Sequence, residues 1–382
     1  MGDLASFSKG YGYSKSDLME SGTPIILYGR LYTNYETVIS DVDTYVNEKK
    51  GSVYSRGGEI IVPASGETAE DISVASVVEK QGVLLGGDLN IVNPAKILNP
   101  VFLAISISNG NPHKEMTKMA QGKSVVHLHN ADLEKIILNF PSCDEQVLIS
   151  TYFQNIDNLI TLHQRKYDKL VNVKKAMLEK MFPKDGDDVP EIRFKGFTEA
   201  WEQRKLSEIT TMHARIGWQN LRTSEFLDNG EYMLITGTDF IDGSVNFNNC
   251  HYVKRERYVQ DKNIQIKNGN ILITKDGTLG KVAYIQGLTI PATLNAGVFN
   301  VEIKNEKEVD NRYLFQYLKA PFLMDYVDKK STGGTIKHLN QNILVDFPVM
   351  LPQKCEQEKI GECFLSIDNL ITLHQRKCLN LV

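Results

Sequence analysis

Several short segments combine residue types that could do chemistry, and their spacing decides which chemistry is open to them. Gln121-Gly-Lys-Ser124 ends like a phosphate-binding loop, but Thr117 stands where the first glycine of that loop would be. His127 and His129 fall on one face of a predicted strand, yet no carboxylate or cysteine lies at ligand spacing. No metalloprotease, nucleophile-elbow, amino-methyltransferase or zinc-deaminase motif occurs. The sequence therefore predicts no catalytic residue and no metal site in this chain.

Positive charge is concentrated in one part of a mildly acidic chain. The net charge is −4, whereas residues 254–281 carry seven Lys or Arg side chains against three acids. A local basic stretch can contact nucleic acid when a partner supplies the rest of the phosphate neutralisation. Composition alone does not decide whether this stretch does so.

Composition also bounds the class of protein. A chain of 382 residues, 42% hydrophobic and 24% charged, is ordinary for a soluble protein of two or three domains. Its apolar run at residues 101–107 is much shorter than the roughly 18 residues of a membrane span. The five cysteines include no Cys-x-x-Cys pair, so reduced thiols are expected rather than disulfides or a zinc site. We therefore expect a cytoplasmic protein with no membrane segment.

The elements that must position any functional residues occur twice. The eleven residues Ile156–Lys166 recur letter for letter as residues 367–377. At the same offset, residues 141–166 and 352–377 share sixteen of twenty-six positions. This period is far longer than the roughly 20–50 residues of solenoid repeats. The chain is therefore predicted to be a domain duplication with similar ends and diverged fronts.

Each repeat ends in a predicted long helix. Residues 142–182 contain no Gly or Pro, and apolar residues recur at spacings of four and three, which is a heptad seam. The seam is apolar apart from His163 and Lys174 and is formed by Ile149, Phe153, Ile156, Ile160, His163, Tyr167, Leu170, Lys174, Met177 and Met181. A second helix, predicted from near Cys355, repeats this seam. Because a lone amphipathic helix is unstable in water, we expect the two helices to pair antiparallel.

Within this pair, the apolar residues of the identical segment are assigned to the core. These are Ile156, Leu159, Ile160 and Leu162. The polar residues between them have no packing reason to be identical. Their repetition indicates two equivalent docking sites, although an ordinary solvated helix surface would also place them outside.

The fronts of the repeats alternate short strand-like runs with glycine-rich turns, which predicts mixed α/β domains. Strands are predicted at residues 25–28, 59–62, 82–85, 89–92, 232–235, 270–273, 281–284 and 298–301, and helices near 99–108, 112–120 and 310–329. The predicted fold class is α/β (α+β), with two globular domains separated by a pair of long antiparallel coiled-coil helices and an internal pseudo-two-fold repeat. The predicted divisions are domain 1 at 1–141, a central helix at 142–183, a linker at 184–204, domain 2 at 205–352 and a last helix at 353–382.

The linker and the repeated segments carry a family resemblance. Pro190-Glu-Ile-Arg-Phe-Lys-Gly-Phe-Thr-Glu-Ala-Trp-Glu-Gln-Arg-Lys-Leu206, Gly333-Gly-Thr-Ile-Lys-His-Leu-Asn-Gln-Asn342 and the repeated eleven residues resemble the specificity (S) subunit of type I restriction-modification enzymes, over essentially the whole chain. That family usually has a Trp-Glu-x-x-Lys-Leu-like lead before each recognition domain. Residues Trp201 to Leu206 form this lead before the second domain, and the first domain has no counterpart of it.

The resemblance implies a role and a set of partners. Two target-recognition domains would each read half of a bipartite site in double-stranded DNA, while the two helices set the spacing and dock two methylation (M) subunits. Restriction (R) subunits would join through the complex. S-adenosylmethionine, ATP and Mg would be bound by partner subunits and no cofactor by this chain, which would be non-catalytic. A two-domain protein-binding adaptor, and more weakly a free-standing methyltransferase or nuclease, are the alternatives.

Loops that combine glycines, hydroxyls and cations after matched strands are the predicted base-reading and phosphate-binding segments. In domain 2 the predicted DNA-binding residues are Lys275, Thr278, Lys281, Ser331, Thr332, Thr335, Lys337 and His338. In domain 1 they are Ser65, Glu67, Lys123, Ser124 and His127. Ordinary solvated turns would have the same composition, so each of these residues is a separate hypothesis.

The predicted docking residues come from the duplicated polar face of the helices. On the central helix they are Asn158, Gln164, Arg165 and Lys166, and on the last helix Asn369, Gln375, Arg376 and Lys377. A pseudo-two-fold pair of sites would suit two partners on a bipartite DNA.

Overall fold

The chain folds into two compact units. The computed structural model describes residues 1–122, 125–184, 186–276, 279–330 and 339–381, without the side chain of Trp218. Unit 1 comprises residues 1–162 and unit 2 comprises residues 163–380. The boundary between them falls within one long helix, so each unit contains part of that helix.

In the part of unit 1 that the structure describes, short strands and five short α-helices precede the long helix. Its strands are β1 (Ala5–Lys9), β2 (Leu18–Met19), β3 (Thr23–Ile26), β4 (Val38–Ile39), β5 (Tyr45–Val46), β6 (Ile60–Pro63), β7 (Ser65–Gly66), β8 (Ser76–Val78), β9 (Leu84–Leu85), β10 (Leu89–Pro94) and β11 (Val126–His127). Its helices are α1 (Arg30–Thr33), α2 (Ala69–Ile72), α3 (Pro100–Ser108), α4 (Gly110–Met119), α5 (Asn130–Leu133) and the start of α6 (Cys143–Lys180).

The strands of unit 1 form a five-stranded sheet, β1-β10-β6-β8-β4, and a four-stranded one, β2-β5-β3-β9. Every residue of β6 is buried. Because alternate side chains of a strand point to opposite faces, Ile60 and Val62 pack against Leu103 of α3, whereas Ile61 belongs to a second core with Ile91. Burial on both faces explains why this strand is an uninterrupted apolar run.

Unit 2 has a corresponding set of elements. Its strands are β12 (Glu202–Lys205), β13 (Thr210–Ala214), β14 (Tyr232–Ile235), β15 (Phe240–Ile241), β16 (Ser244–Val245), β17 (His251–Val253), β18 (Gln265–Ile266), β19 (Ile271–Thr274), β20 (Val282–Tyr284), β21 (Ala292–Leu294), β22 (Val298–Ile303) and β23 (Pro348–Leu351). Its helices, after the end of α6, are α7 (Leu206–Ile209), α8 (Arg255–Val259), α9 (Asn311–Lys319), α10 (Phe322–Lys330), α11 (Gln341–Val345) and α12 (Lys354–Leu379).

The two units share a topology despite their different sequences. The order β13-β22-β19-β20 in unit 2 matches β1-β10-β6-β8 in unit 1. The second sheet of each unit contains one parallel pair, β3 with β9 and β14 with β21. The predicted mixed α/β duplication is therefore confirmed.

The long helices form as predicted, and unit 2 contains an antiparallel pair. His163 of α6 contacts His374 of α12 with 2.9 Å between their Nδ1 atoms. Further along α6, Lys174 pairs with Asp368, and beyond its end Phe182 stacks on Phe364. The residue numbers of the partners on α12 thus decrease as those along α6 increase, so the two helices pack antiparallel. Among the described residues, no helix is long and apolar enough to cross a membrane.

Two sequence-based expectations are wrong. Leu159 and Leu162 are each 45% exposed and do not belong to a helix-pair core, because they lie off the heptad seam. The single helix predicted near residues 310–329 is two helices, α9 and α10. Pro321 separates them, because proline disfavours helical backbone at the residue before it, and Ala320 is extended there with ψ of 159°.

Candidate functional site

The predicted loop between β19 and β20 has a hydrogen-bonded base in unit 2. Buried Thr274 accepts from the backbone of Gly280 at 2.9 Å and donates its own N–H to the carbonyl of Lys281 at 2.9 Å. Its hydroxyl accepts the Lys281 N–H at 2.9 Å. These bonds close the loop, and the Lys281 side chain is exposed beyond it. A cation is therefore held on the outside of a well-supported hairpin.

A second predicted segment returns to the same place. The N–H of Leu339 donates to the carbonyl of Lys275 at 2.8 Å, so the residue that follows the predicted 331–338 segment lies beside the hairpin. Lys275 is half-buried and its Nζ lies 5.5 Å from the ring centroid of Phe299. Thr278, Ser331, Thr332, Thr335, Lys337 and His338 lie outside the described residues. The structure thus brings together Lys275, which precedes Thr278 in the chain, and Leu339, which follows the 331–338 segment.

An open cavity of about 480 Å³ lies at this junction, lined in part by Arg215, Lys275, Asp276, Asn340 and Gln341. Arg215 is a residue that the sequence analysis missed. It is 1% exposed, and its Nε donates to the carbonyl of Leu294 at 2.8 Å. Its Nη2 donates to the Thr293 hydroxyl at 3.1 Å.

The cavity lining carries two cations, Arg215 and Lys275, and one carboxylate, Asp276. Burial lowers the pKa of Arg215 from its ordinary value, and the nearby Arg257 charge lowers it further. The charges of Asp261 and Glu225 act in the opposite direction and raise it. The hydrogen-bond partners named above are neutral carbonyl and hydroxyl oxygens. No local sequence pattern signals this arginine, because its surroundings come from distant parts of the chain.

Unit 1 repeats the arrangement with different side chains. The N–H of Leu128 donates to the carbonyl of Ala64 at 3.0 Å, the counterpart of the bond between Leu339 and Lys275 at the same 211-residue offset. Strand pairing places Ser65 opposite His127. The same backbone bond therefore joins the matched loop to the returning segment in both units.

The predicted residues of unit 1 differ in accessibility. Glu67 and His127 are exposed, and the His127 ring stacks on His129 with centroids 6.3 Å apart. Ser65 is 4% exposed, so its side chain is not on the surface. Lys123 and Ser124 lie outside the described residues. Among the described residues, the accessible predicted groups of unit 1 are thus an acid and an imidazole, and those of unit 2 are lysines.

The predicted docking residues are all exposed on their helices. This holds for Asn158, Gln164, Arg165 and Lys166 on α6, and for Asn369, Gln375, Arg376 and Lys377 on α12. Beside them lie the exposed leucines Leu159 and Leu162, and their counterparts Leu370 and Leu373 are 43% and 44% exposed. Each helix therefore presents both polar and apolar groups of the identical segment to solvent.

The seam of the helix pair contains ionisable groups. Lys174, an exception in the predicted apolar seam, is buried against Asp368, which also accepts from the Gln316 amide at 3.0 Å. Burial and then the Lys174 charge lower the pKa of Lys319 to about 8. Within the described ranges, no group of three or more His, Cys, Asp or Glu side chains is arranged to hold a metal ion.

A family model described as the type I restriction modification DNA specificity domain matches residues 1–172 and 198–381. The chain is 24% identical over 307 residues to the type I restriction enzyme MjaVIII specificity subunit of Methanocaldococcus jannaschii, covering 78% of this chain and 70% of that protein. It is 24% identical over 299 residues to the putative type I restriction enzyme MjaX specificity subunit of the same organism, covering 77% and 66%.

Solved structures show a similar fold. A crystal structure of a type I restriction-modification system S subunit from M. genitalium has a TM-score of 0.62 at 15% identity, covering 100% of this chain and 91% of that one. A chain from a structure of complex assembly and conformational transition in the type I R-M system has a TM-score of 0.54 at 14% identity, covering 100% and 92%. At these identities the likeness concerns the fold alone.

Proposed function

Because this chain belongs to the type I restriction-modification DNA specificity family and has a DNA-recognition role, we propose that its two domains each read one half of a bipartite site in double-stranded DNA. Domain 1, residues 1–141, would read one half and domain 2, residues 205–352, the other. A protein-binding adaptor without a DNA role is not favoured by this membership.

One observation carries the proposal. Both units join a loop after the equivalent strand to a returning segment, at Ala64 with Leu128 and at Lys275 with Leu339. The joining bond is the same, whereas among the described residues the accessible predicted groups are Glu67 and His127 in one unit and Lys275 and Lys281 in the other. Base edges differ in donors and acceptors, so different groups on one frame suit two different half-sites.

Phosphate contacts are proposed for the basic cavity of unit 2. Lys275 and the buried Arg215 line it together with Asp276, while the exposed Lys281 lies on the outside of the hairpin. Phosphate contacts fix the register of a protein on DNA, and base contacts then specify sequence.

The long helices would set the spacing and receive partners. We propose that the exposed polar residues around Arg165 on α6 and around Arg376 on α12 each dock one methylation subunit, giving two per chain. Restriction subunits would join through that complex. The distance between half-sites would follow from the helices, because the identical segments lie there.

The chain itself would catalyse no reaction. S-adenosylmethionine, ATP and Mg would be held by partner subunits, which would carry out methyl transfer and cleavage. The assembly would act in the cytoplasm, where the DNA of the cell is accessible to it.

The proposal is tested by crossed substitutions in cells that express the chain with its methylation subunits. The methylome of the wild type defines both half-sites. Lys275→Ala with Lys281→Ala should lower the salt dependence of DNA binding, so that its loss of affinity relative to the wild type is largest at low salt. His127→Ala should alter selection in the other half-site and leave that salt dependence unchanged. Unchanged binding of the lysine variant at several salt concentrations would remove the assignment.

A further inference from the structure

A pair of buried glutamines occupies equivalent positions at the start of the two long helices. Gln146 lies in the first turn of α6 and Gln357 in the first turn of α12, at the 211-residue offset of the repeat. Their residues are 0% and 1% exposed. Buried amides are retained where their donors and acceptors are used, so the partners of these two side chains are informative.

In unit 1, the Gln146 side chain joins three backbone groups. Its Oε1 accepts the N–H of Asn99 at 2.8 Å. Its Nε2 donates to the carbonyl of Ile97 at 3.2 Å and to that of Pro141 at 3.0 Å. The side-chain amide thus uses both its acceptor and its donors. Its partners are backbone groups of two separate segments, residues 97–99 and Pro141.

In unit 2, Gln357 makes the same bonds to the equivalent residues. Its Oε1 accepts the N–H of Asp310 at 2.9 Å. Its Nε2 donates to the carbonyl of Glu308 at 3.0 Å and to that of Pro352 at 2.9 Å. Every partner is shifted by the same offset, although Asn99 and Asp310 differ in type. The partners are backbone atoms, which explains why the bridge survives divergence of the sequence. We call Gln146 and Gln357 with these bonds the glutamine bridges.

Each bridge ends on the residue that caps a helix of its own globular domain. The Asn99 side chain accepts from the N–H groups of Val101 and Phe102 in α3. The Asp310 side chain accepts in the same way from Arg312 and Tyr313 in α9. An N-cap side chain satisfies the otherwise free N–H groups of the first helical turn. The bridge therefore connects the start of a long helix to the start of a domain helix.

The next turn of each long helix closes on the same cap. In unit 1 the Ser150 hydroxyl donates to Asn99 Oδ1 at 3.0 Å. In unit 2 the equivalent position is Gly361, where a Cβ would lie 2.9 Å from Asp310 Oδ1. A hydroxyl bonds the cap in one unit, and the missing side chain lets the helix approach the cap in the other. Both solutions keep the long helix against the domain.

From these contacts we propose that Gln146 and Gln357 are positioning residues that fix the orientation of each recognition domain on its long helix and thereby fix the gap between half-sites. The inference rests on the proposed function, in which the helices set that gap. A one-base-pair change of gap moves a half-site by about 3.4 Å and rotates it by about 35°. Only a rigid joint between domain and helix can discriminate against so small a displacement.

The test uses the full complex with methylation subunits and a panel of DNAs. Each DNA keeps both wild-type half-sites and carries the natural gap or a gap longer or shorter by one base pair. Gln146→Met and Gln357→Met keep the length of the side chain but remove its hydrogen bonds. Gln154→Met, the same change at a partly exposed position of α6, is the matched control.

The positioning role predicts that each Met variant lowers the ratio of methylation on the natural gap to that on altered gaps by about tenfold, the equivalent of about 1.4 kcal/mol. Half-site sequences in the methylome should stay the same, and Gln154→Met should keep the wild-type ratio. A folded Met variant with an unchanged ratio overturns the proposal. A purely stabilising glutamine would lower methylation on all gaps equally, which also overturns it.

Two further readouts keep the outcome decisive. If the Met variants do not fold, they are replaced in the same panel by Gln146→Asn and Gln357→Asn, which keep the amide on a shorter side chain. The ratio of methylation on the natural gap to that on altered gaps is then the deciding measurement for each Asn variant. A wild-type complex without any fixed gap would refute the proposed function itself, whereas a fixed gap that the variants retain would refute only the positioning role.

Discussion

Replacing Phe182 with alanine should destabilise unit 2 by about 4 kcal/mol. Phe182 follows the end of α6, and its residue is 1% exposed. Its ring lies within 5.2 to 6.4 Å, centroid to centroid, of those of Trp201, Tyr313, Tyr317, Phe322 and Phe364. These partners belong to the linker, α9, α10 and α12, so one side chain joins four segments of the unit.

The magnitude follows from burial and from ring geometry. Truncation of a fully buried phenylalanine to alanine costs about 3–5 kcal/mol, because the transfer free energy is lost and a cavity remains. Edge-to-face ring pairs contribute about 0.5–1.5 kcal/mol beyond area burial, and four of the five contacts here are of that kind. The expected loss therefore lies in the upper half of the range.

Trp201 provides a local reporter of this unit. It is 4% exposed and contacts Phe182, so its fluorescence should shift when the cluster unfolds. The chain has two tryptophans, and Trp218→Phe as the background makes the signal specific. Guanidinium titrations of the isolated chain then give the free energy of unfolding of unit 2 with and without Phe182→Ala.

A control in the same unit shows whether the loss of stability comes from the burial of the side chain or only from its hydrophobicity. Leu370 is 43% exposed, so Leu370→Ala should cost only about 1 kcal/mol. If Phe182→Ala costs less than about 2 kcal/mol, or no more than the control, the aromatic cluster does not hold these segments together as described.

Two other predictions concern the helices. Burial, then the charges of His163 and two lysines, lowers the pKa of His374 from 6.5. The unfolded chain then takes up a proton on this ring before the folded one, so its contribution to stability is present above pH 6.5 and is lost as the pH falls through the lowered pKa. Melting temperatures between pH 7.5 and 5 should fall less for His374→Asn, and equal falls would contradict this. Arg165→Glu should leave the fold intact, since exposed substitutions cost under about 0.5 kcal/mol, but reduce bound methylation subunits from two to one. Native mass spectrometry still finding two would exclude the docking role, and Arg376→Glu tests the equivalent site.

Local patterns in the sequence predicted much of the architecture. The heptad spacing identified both long helices, and the constant offset of 211 residues identified the duplication. Short apolar runs located β6, β14 and β19 to within a residue or two. These features can be predicted from the sequence because the periodicities of helices and strands involve only a few neighbouring residues. The break at Pro321 was missed, although proline is itself a local signal.

The functional surface depended on contacts that no local pattern contains. The sequence by itself determined that two similar frames exist, that they end in similar helices, and which loops carry cations and hydroxyls. Only the tertiary structure decided that Leu339 returns to Lys275, that Arg215 lies buried beside them, and that Gln146 bridges to a helix cap. The physical reason is that these contacts join residues far apart in the chain. Their partners are chosen by sheet order and by packing, often through backbone atoms that are the same for every residue type.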